Sequence, residues 1–158
     1  MRTYIYMAVY VSAICLANFL VFFFGPVWSL VNSFLLIGLD FILRDKLHEI
    51  VGIKVISLLV LVAGVLSYVI NPAGGMIALA SFVAFTLASL TDGAVYQLCI
   101  RKPWLVKSNA SNSAASVVDS VVFPVIAFDA FMPGIVLGQF AAKVVGGFFW
   151  SWVLRKAK

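Results

Sequence analysis

The sequence predicts an all-α integral membrane protein, a bundle of six transmembrane helices in one domain over residues 1–158. Three observations carry that expectation. Only 11% of the residues are charged and 64% are hydrophobic, whereas a soluble domain carries about 25% charged residues. Five apolar runs come close to the ~20 residues that cross ~30 Å of hydrocarbon as a helix. The basic residues fall in alternate connections between the runs, as a topology signal does.

The first run, "YIYMAVYVSAICLANFLVFFF", predicts a helix over about 4–24, ending at Gly25-Pro26. "WSLVNSFLLIGLDFIL" predicts a second over 28–43, short unless its flanks contribute. A third covers 53–70 and closes at "NPAGG", and a fourth covers 76–99. The last covers 135–154, after the turn "MPG". Between the fourth and the last lies "SNASNSAASVVDSVVF", far more polar than its surroundings.

Charge placement decides whether that stretch spans. Ten of the eleven basic residues sit in four places: Arg2; Arg44, Lys46 and Lys54; Arg101, Lys102 and Lys107; Arg155, Lys156 and Lys158. The connections 25–26, 71–75 and 132–134 hold none. A fifth helix over 110–130 puts every basic cluster on one face and every neutral turn on the other. The positive-inside rule then places both termini in the cytoplasm of a protein of the cytoplasmic (inner) membrane. The net charge of +5 follows from loops that face anionic lipid and calls for no nucleic acid. The N-terminal run is too long for a signal peptide and lacks a cleavage site.

Several chemistries find no residues to perform them. Cys15 and Cys99 lie in or at the end of apolar runs and suggest neither a disulfide framework nor a metal site. The one histidine, His48, falls in a cytoplasmic connection and reads as solvated. No phosphate-binding loop, metal cluster or nucleophile–base constellation is legible. The expectation is therefore no enzyme and no cofactor.

The polar residues inside the spans are informative, because a charge near the bilayer centre costs roughly 2.5–3.5 kcal/mol. Asp40, Asp92, Asp119, Asp129 and Lys143 fall within them. At ~1.5 Å per residue, Lys143 lies about 12 Å deep from one side and Asp119 about 13 Å from the other. They can meet near the midplane, and Asp92 is close to the same level. Helical spacing extends them into faces: Asn109, Asn112, Ser116, Asp119 and Phe123 on the fifth helix; Gln139 and Lys143 on the sixth; Ser81, Phe85, Ser89, Asp92 and Tyr96 on the fourth. Ser81, Ser89, Ser116 and Gly146-Gly147 also fit plain helix-to-helix packing. Asp40 precedes Arg44 by one turn in the favourable acid-first order, as a neutralising partner or a gate. Asp129, near a helix end, reads as solvated.

Two segments resemble the queuosine-precursor transporter family, the YhhQ-like proteins also called vitamin uptake transporters. "LDFILRDKLHEIVG" (39–52) is similar to that family's D-x-x-x-E-x-x-G signature after its second helix. "ASFVAFTLASLTDGAVYQL" and "KSNASNSAASVVDSVVFPVIAF" resemble its fourth and fifth helices, with Lys107, Ser111 and the run from Asp119 to Phe123 at matching spacing. Lys143 fits a lysine in the last helix. Ser116 stands where the family often has Gln, and the Pro and Tyr that often follow the final lysine are absent. The resemblance implies uptake of 7-cyano-7-deazaguanine or a related 7-deazaguanine for salvage into tRNA, or in related systems into DNA. On that reading Asp92, Asn112, Ser116, Asp119, Gln139 and Lys143 bind the substrate. Asp40, Arg44, Asp45 and Glu49 form a cytoplasmic gate or signature. The partners are then a small heterocycle, the lipid bilayer and a coupling proton carried by Asp92 or Asp119; an ATPase partner is not required. Two alternatives stay open: the membrane-embedded substrate-binding subunit of an ATP-driven vitamin importer, and a non-transporting membrane scaffold.

Overall fold

The computed structural model describes residues 2–154, which form helices joined by short turns, with no strand among them. Arg155, Lys156 and Lys158, used above for topology, lie outside the described residues. Helix α1 (Arg2–Phe24) turns at Gly25 into α2 (Trp28–Asn32). A π-turn (Ser33–Ile37) carries α2 without a break into α3 (Gly38–Val51), so the three make one rod. Then follow α4 (Ile53–Ile70), a 3-10 turn (Pro72–Gly74), α5 (Gly75–Leu98), α6 (Trp104–Phe128) and α7 (Pro133–Leu154).

Five of these six helical bodies are long and apolar enough to cross a membrane: α1, α4, α5 with its 3-10 turn, α6 and α7. The exception is the composite rod. It runs past the expected end at 43 to Val51 and measures roughly 36 Å at ~1.5 Å per residue. Its length suffices; its composition does not, because Asp40, Arg44 and Asp45 lie in its second half. The fifth helix also differs from expectation, starting at Trp104 behind Pro103 and ending at Phe128. Asp129, exposed and at φ 49°, stops it in the left-handed conformation that aspartate tolerates.

The bundle is apolar outside and polar inside, the reverse of a soluble fold. Leu58, Leu61 and Val65 of α4 and Leu137, Val145 and Phe148 of α7 face outward. Asp40, Arg44, Asp45, Asp92, Asp119 and Lys143 are all buried. Hydrocarbon solvates a leucine well and an ion poorly, so the polar side chains turn toward one another. An apolar layer of Tyr10, Ile14, Phe41, Leu47, Ile56 and Val60 fills the space between α1, α3 and α4.

Small residues let backbones approach where side chains would hold them apart. On α5, Ala80, Ala84 and Ala88 are buried one turn apart, and α6 buries Ser108, Ser111 and Ala115 where the two helices pack. At the crossing of the rod with α7, backbone meets backbone. A Cβ on Gly38 would stand 2.8 Å from the Gly146 carbonyl carbon, and one on Gly146 would collide with the Phe34 carbonyl oxygen. The π-turn lies at this crossing, and the Trp150 indole donates to the Leu35 carbonyl within it at 3.1 Å.

This contact separates two adjacent glycines. Gly146→Ala forces backbone apart and is expected to cost about 1–3 kcal/mol, the usual penalty of overpacking. Gly147→Ala meets nothing within 4 Å and should be neutral or stabilising, since alanine is the better helix former. Thermal unfolding of the two variants in detergent checks this; equal melting points would mean that the crossing is looser than described.

Candidate functional site

Lys143 is the centre of the first polar layer. An ammonium has three N–H donors, and each has an acceptor: Asp119 Oδ2 at 2.8 Å, Gln139 Oε1 at 2.8 Å and Ser120 Oγ at 3.0 Å. Gln139 lies one turn before Lys143 on α7, while Asp119 and Ser120 come from α6. Pro124, inside α6, has no N–H and leaves the Ser120 carbonyl without its helical partner, which loosens the helix beside this pair. Gln139 passes the chain on by donating to Ser29 Oγ at 2.8 Å, and Ser29 donates to the Pro26 carbonyl. The pair is thereby tied to the α1–α2 turn.

A small cavity of about 30 Å³ opens beside Asp119 and Lys143. It has room for a water or two, far below the ~300–1,000 Å³ of ligand pockets, so the bundle is closed around it and the walls must part to admit a ligand. Phe85 and Phe123 supply aromatic rings; Asn18, Asn32 and Ser33 supply hydrogen-bonding groups. Asn32 is oriented by donating to the Ala17 carbonyl at 3.0 Å. Asn18 is held from two sides, donating to Ser67 Oγ at 3.0 Å and accepting from Ser81 Oγ. Ser33 and Ile37, the ends of the π-turn, both line the cavity, in keeping with the frequency of π-turns at functional sites.

A second layer lies toward the end of the bundle that carries the basic connections. Arg44 of α3 reaches Ser89 of α5 at 3.4 Å and Asn112 of α6 at 3.3 Å. Its Nη2 stands 3.2 Å from Asp92 Oδ1, an ion-pair distance without the alignment of a hydrogen bond. The guanidinium lies 4.6 Å over the Phe41 ring. Asn112 donates to Asp45 Oδ2 at 2.9 Å, and Ser108 donates to the same oxygen. Beyond it, half-exposed Glu49 accepts from Tyr96 and, at 3.0 Å, from Lys107. Partial burial acts to raise the Glu49 pKa, but these two hydrogen bonds and the Lys107 charge outweigh it and hold the carboxyl below its ordinary value. His48 is half-buried, its ring 6.0 Å from that of Tyr96.

The expected stripe on the fifth helix therefore divides. Asp119, Gln139 and Lys143 come together at the cavity, and the anticipated Asp119–Lys143 meeting is a real ion pair. Asp92 and Asn112 join Arg44 and Asp45 in the other layer instead. Ser116 donates to its own helix, to the Asn112 carbonyl at 2.7 Å, and does not line the cavity beside Lys143. Asp40 does not hold Arg44 by a hydrogen bond; both its oxygens are buried without a hydrogen-bond partner. Sequence reasoning missed Asn18, Asn32, Ser33 and Tyr10. The available signal was an amide in the middle of an apolar run, which must have a partner inside.

The Lys143–Asp119 pair predicts its own non-additivity. Lys143→Met leaves a buried carboxylate unpaired and is expected to destabilise by about 3–5 kcal/mol, whereas the double variant Asp119→Leu, Lys143→Met should recover most of that loss. A double-mutant cycle of thermal unfolding in detergent reads the coupling; additive effects would show that the two charges do not depend on each other.

A sequence profile of the family described as "Putative vitamin uptake transporter" matches residues 3–155. No curated protein and no solved structure matches the chain. The matched region takes in both polar layers, the cavity between α1, the rod and α5–α7, and every helix described above. The chain belongs to the vitamin uptake transporter family.

Proposed function

We propose that this chain imports a queuosine precursor, 7-cyano-7-deazaguanine or a related 7-deazaguanine, across the cytoplasmic membrane. The observation that carries the reading is the pairing of aromatic rings with hydrogen-bonding groups around one cavity, which must widen to admit the heterocycle. Phe85 and Phe123 suit the faces of a flat heterocycle, and Asn18, Asn32, Ser33 and Asp119 suit its edges. A guanine-like edge presents adjacent N–H donors to a carboxylate, while amides answer its carbonyl. The chain crosses the membrane six times, with both termini in the cytoplasm. That reading is supported by the rod's length and by Lys46, Lys54, Arg101, Lys102 and Lys107 falling at one end of the bundle.

The layer around Arg44 acts as the cytoplasmic gate. It ties α3 to α5 and α6 through side chains alone, so it can open without unfolding a helix. At the other end, the bonds from Gln139 to Ser29 and from Asn18 to Ser67 and Ser81 do the same. A substrate between the two sets is released to one side when one set parts, which is alternating access in its simplest form.

Uptake of labelled 7-cyano-7-deazaguanine, guanine and biotin by cells lacking their own precursor synthesis and salvage tests the substrate. The deazaguanine is expected to accumulate, and preference for biotin would overturn the assignment. Phe85→Leu keeps an apolar side chain but removes the ring, so KM should rise roughly 5- to 150-fold, the ~1–3 kcal/mol of a base–aromatic stack. Topology has its own check: reporters fused after Lys158 and within 71–75 must report opposite sides. In a background without Cys15 and Cys99, Ser33→Cys should react with a small polar thiol reagent and be protected by the deazaguanine. Ser116→Cys should stay inert.

A further inference from the structure

The buried interior holds more negative than positive charge. Among the described residues, Asp40, Asp45, Asp92 and Asp119 are each at most 4% exposed, against two buried cations, Arg44 and Lys143. Lys143 is committed to Asp119 and Arg44 stands against Asp92. Asp45 is without a cation of its own, but Ser108 and Asn112 both donate to it. Asp40 has neither. It is 1% exposed, on the interior side of α3, and both its oxygens are without a hydrogen-bond partner. An ionised carboxylate in that position would carry the full cost of desolvation, and such a group neutralises itself instead. A proton does this with no further ligand. A metal ion would need several converging donors, and no three acidic, histidine or cysteine side chains among the described residues converge closely enough to hold one.

We infer that Asp40 is a proton-binding site inside the bundle, and that its proton controls which carboxylate holds Arg44. The surroundings make this a competition. From α1, Tyr10 is fully buried with its hydroxyl unpartnered. From α6 and α7 come Asp119 and Lys143, which satisfy each other; the one charged residue of α4, Lys54, is exposed. Arg44 lies one turn beyond Asp40, and its Nε is also buried without a partner. While Asp40 is protonated, Arg44 faces Asp92 and ties α3 to α5. When the proton leaves, Asp40 becomes an anion in the favourable i, i+4 position, and a guanidinium–carboxylate bond within α3 becomes available. Moving Arg44 to Asp40 releases Asp92 and loosens the gate. Proton release to the cytoplasm and opening toward the cytoplasm are then one event. This consequence rests on the transporter reading; the binding site itself does not.

Infrared spectroscopy of the purified protein in lipid vesicles tests the site without any substrate. Wild type at neutral pH should show the carbonyl stretch of a protonated, buried carboxylic acid. Asp40→Asn, which resembles the neutral acid in shape, should lose that band, and Asp40→Glu should keep it at a shifted position. If Asp40→Asn does not fold, the Asp40→Glu shift decides. A band unchanged in both variants overturns the assignment. Coupling is read in the same vesicles with labelled 7-cyano-7-deazaguanine and an inward proton gradient of one pH unit. One proton per substrate supports up to about tenfold accumulation, whereas Asp40→Asn, which cannot draw Arg44 away from Asp92, should not accumulate the label. Wild-type uptake that ignores the gradient, or accumulation that persists in Asp40→Asn, overturns the coupling. No wild-type uptake at any pH counts against the substrate assignment alone, and the infrared band still decides the site.

Discussion

A lysine ammonium in the middle of a hydrocarbon slab must find three acceptors or not be there. Lys143 finds them in Asp119, Ser120 and Gln139, and much of the architecture follows from that requirement. Two acceptors come from α6 and one from α7, so these helices are locked in register at one level. Gln139 is positioned in turn by Ser29, which reaches back to Pro26, and the rod is drawn into the same set. An ion pair of this kind is a poor stabiliser compared with an apolar pair. Its presence beside a cavity with aromatic and amide walls makes sense as function retained at a cost in stability.

The same helices must approach closely for so short a side-chain chain to close. Glycine at 38 and 146 removes the side chains that would hold the rod and α7 apart. The π-turn at Ser33–Ile37 is then a local adjustment, which swings Ser33 and Ile37 to the cavity while Leu35 keeps a donor in Trp150. Close packing and the polar site are therefore a single arrangement: widen the crossing and Gln139 loses its bond to Ser29.

Much of this was legible in the amino acids. Five apolar runs and the alternation of basic and neutral connections point to the helical bodies, and counting residues from each surface brings Asp119 and Lys143 to one level. The rest was hidden for physical reasons. The second body extends past residue 43 because Asp40, Arg44 and Asp45 are interior groups, and an apolar count cannot tell an inward charge from a loop charge. Arg44 was counted with the surface cluster for the same reason, although it is buried and meets Asp92. Helical spacing puts Asn112, Ser116 and Asp119 on one face. It cannot say that three different neighbours meet that face at three levels, which is what splits the stripe. Asn18 and Asn32 are single amides in apolar runs, and their partners Ser67, Ser81 and Ala17 are set by the tertiary fold alone.

The two polar layers differ in how completely they are satisfied, and that difference fits the roles proposed for them. Around Lys143 every ammonium donor is matched, which makes the layer rigid and suits a site that must present fixed groups to a ligand. Around Arg44 the Nε, one Asp45 oxygen and both Asp40 oxygens lack hydrogen-bond partners, and the contact with Asp92 is poorly aligned. Buried unsatisfied polar groups are expensive, so a second arrangement of the same residues need differ only modestly in free energy to be reached. A gate requires such near-degeneracy, whereas a binding site is harmed by it. The satisfied layer lies beside the cavity and the unsatisfied one between the cavity and the basic end. On the reading proposed above, a switch placed there changes access to a ligand while leaving the Lys143 layer undisturbed.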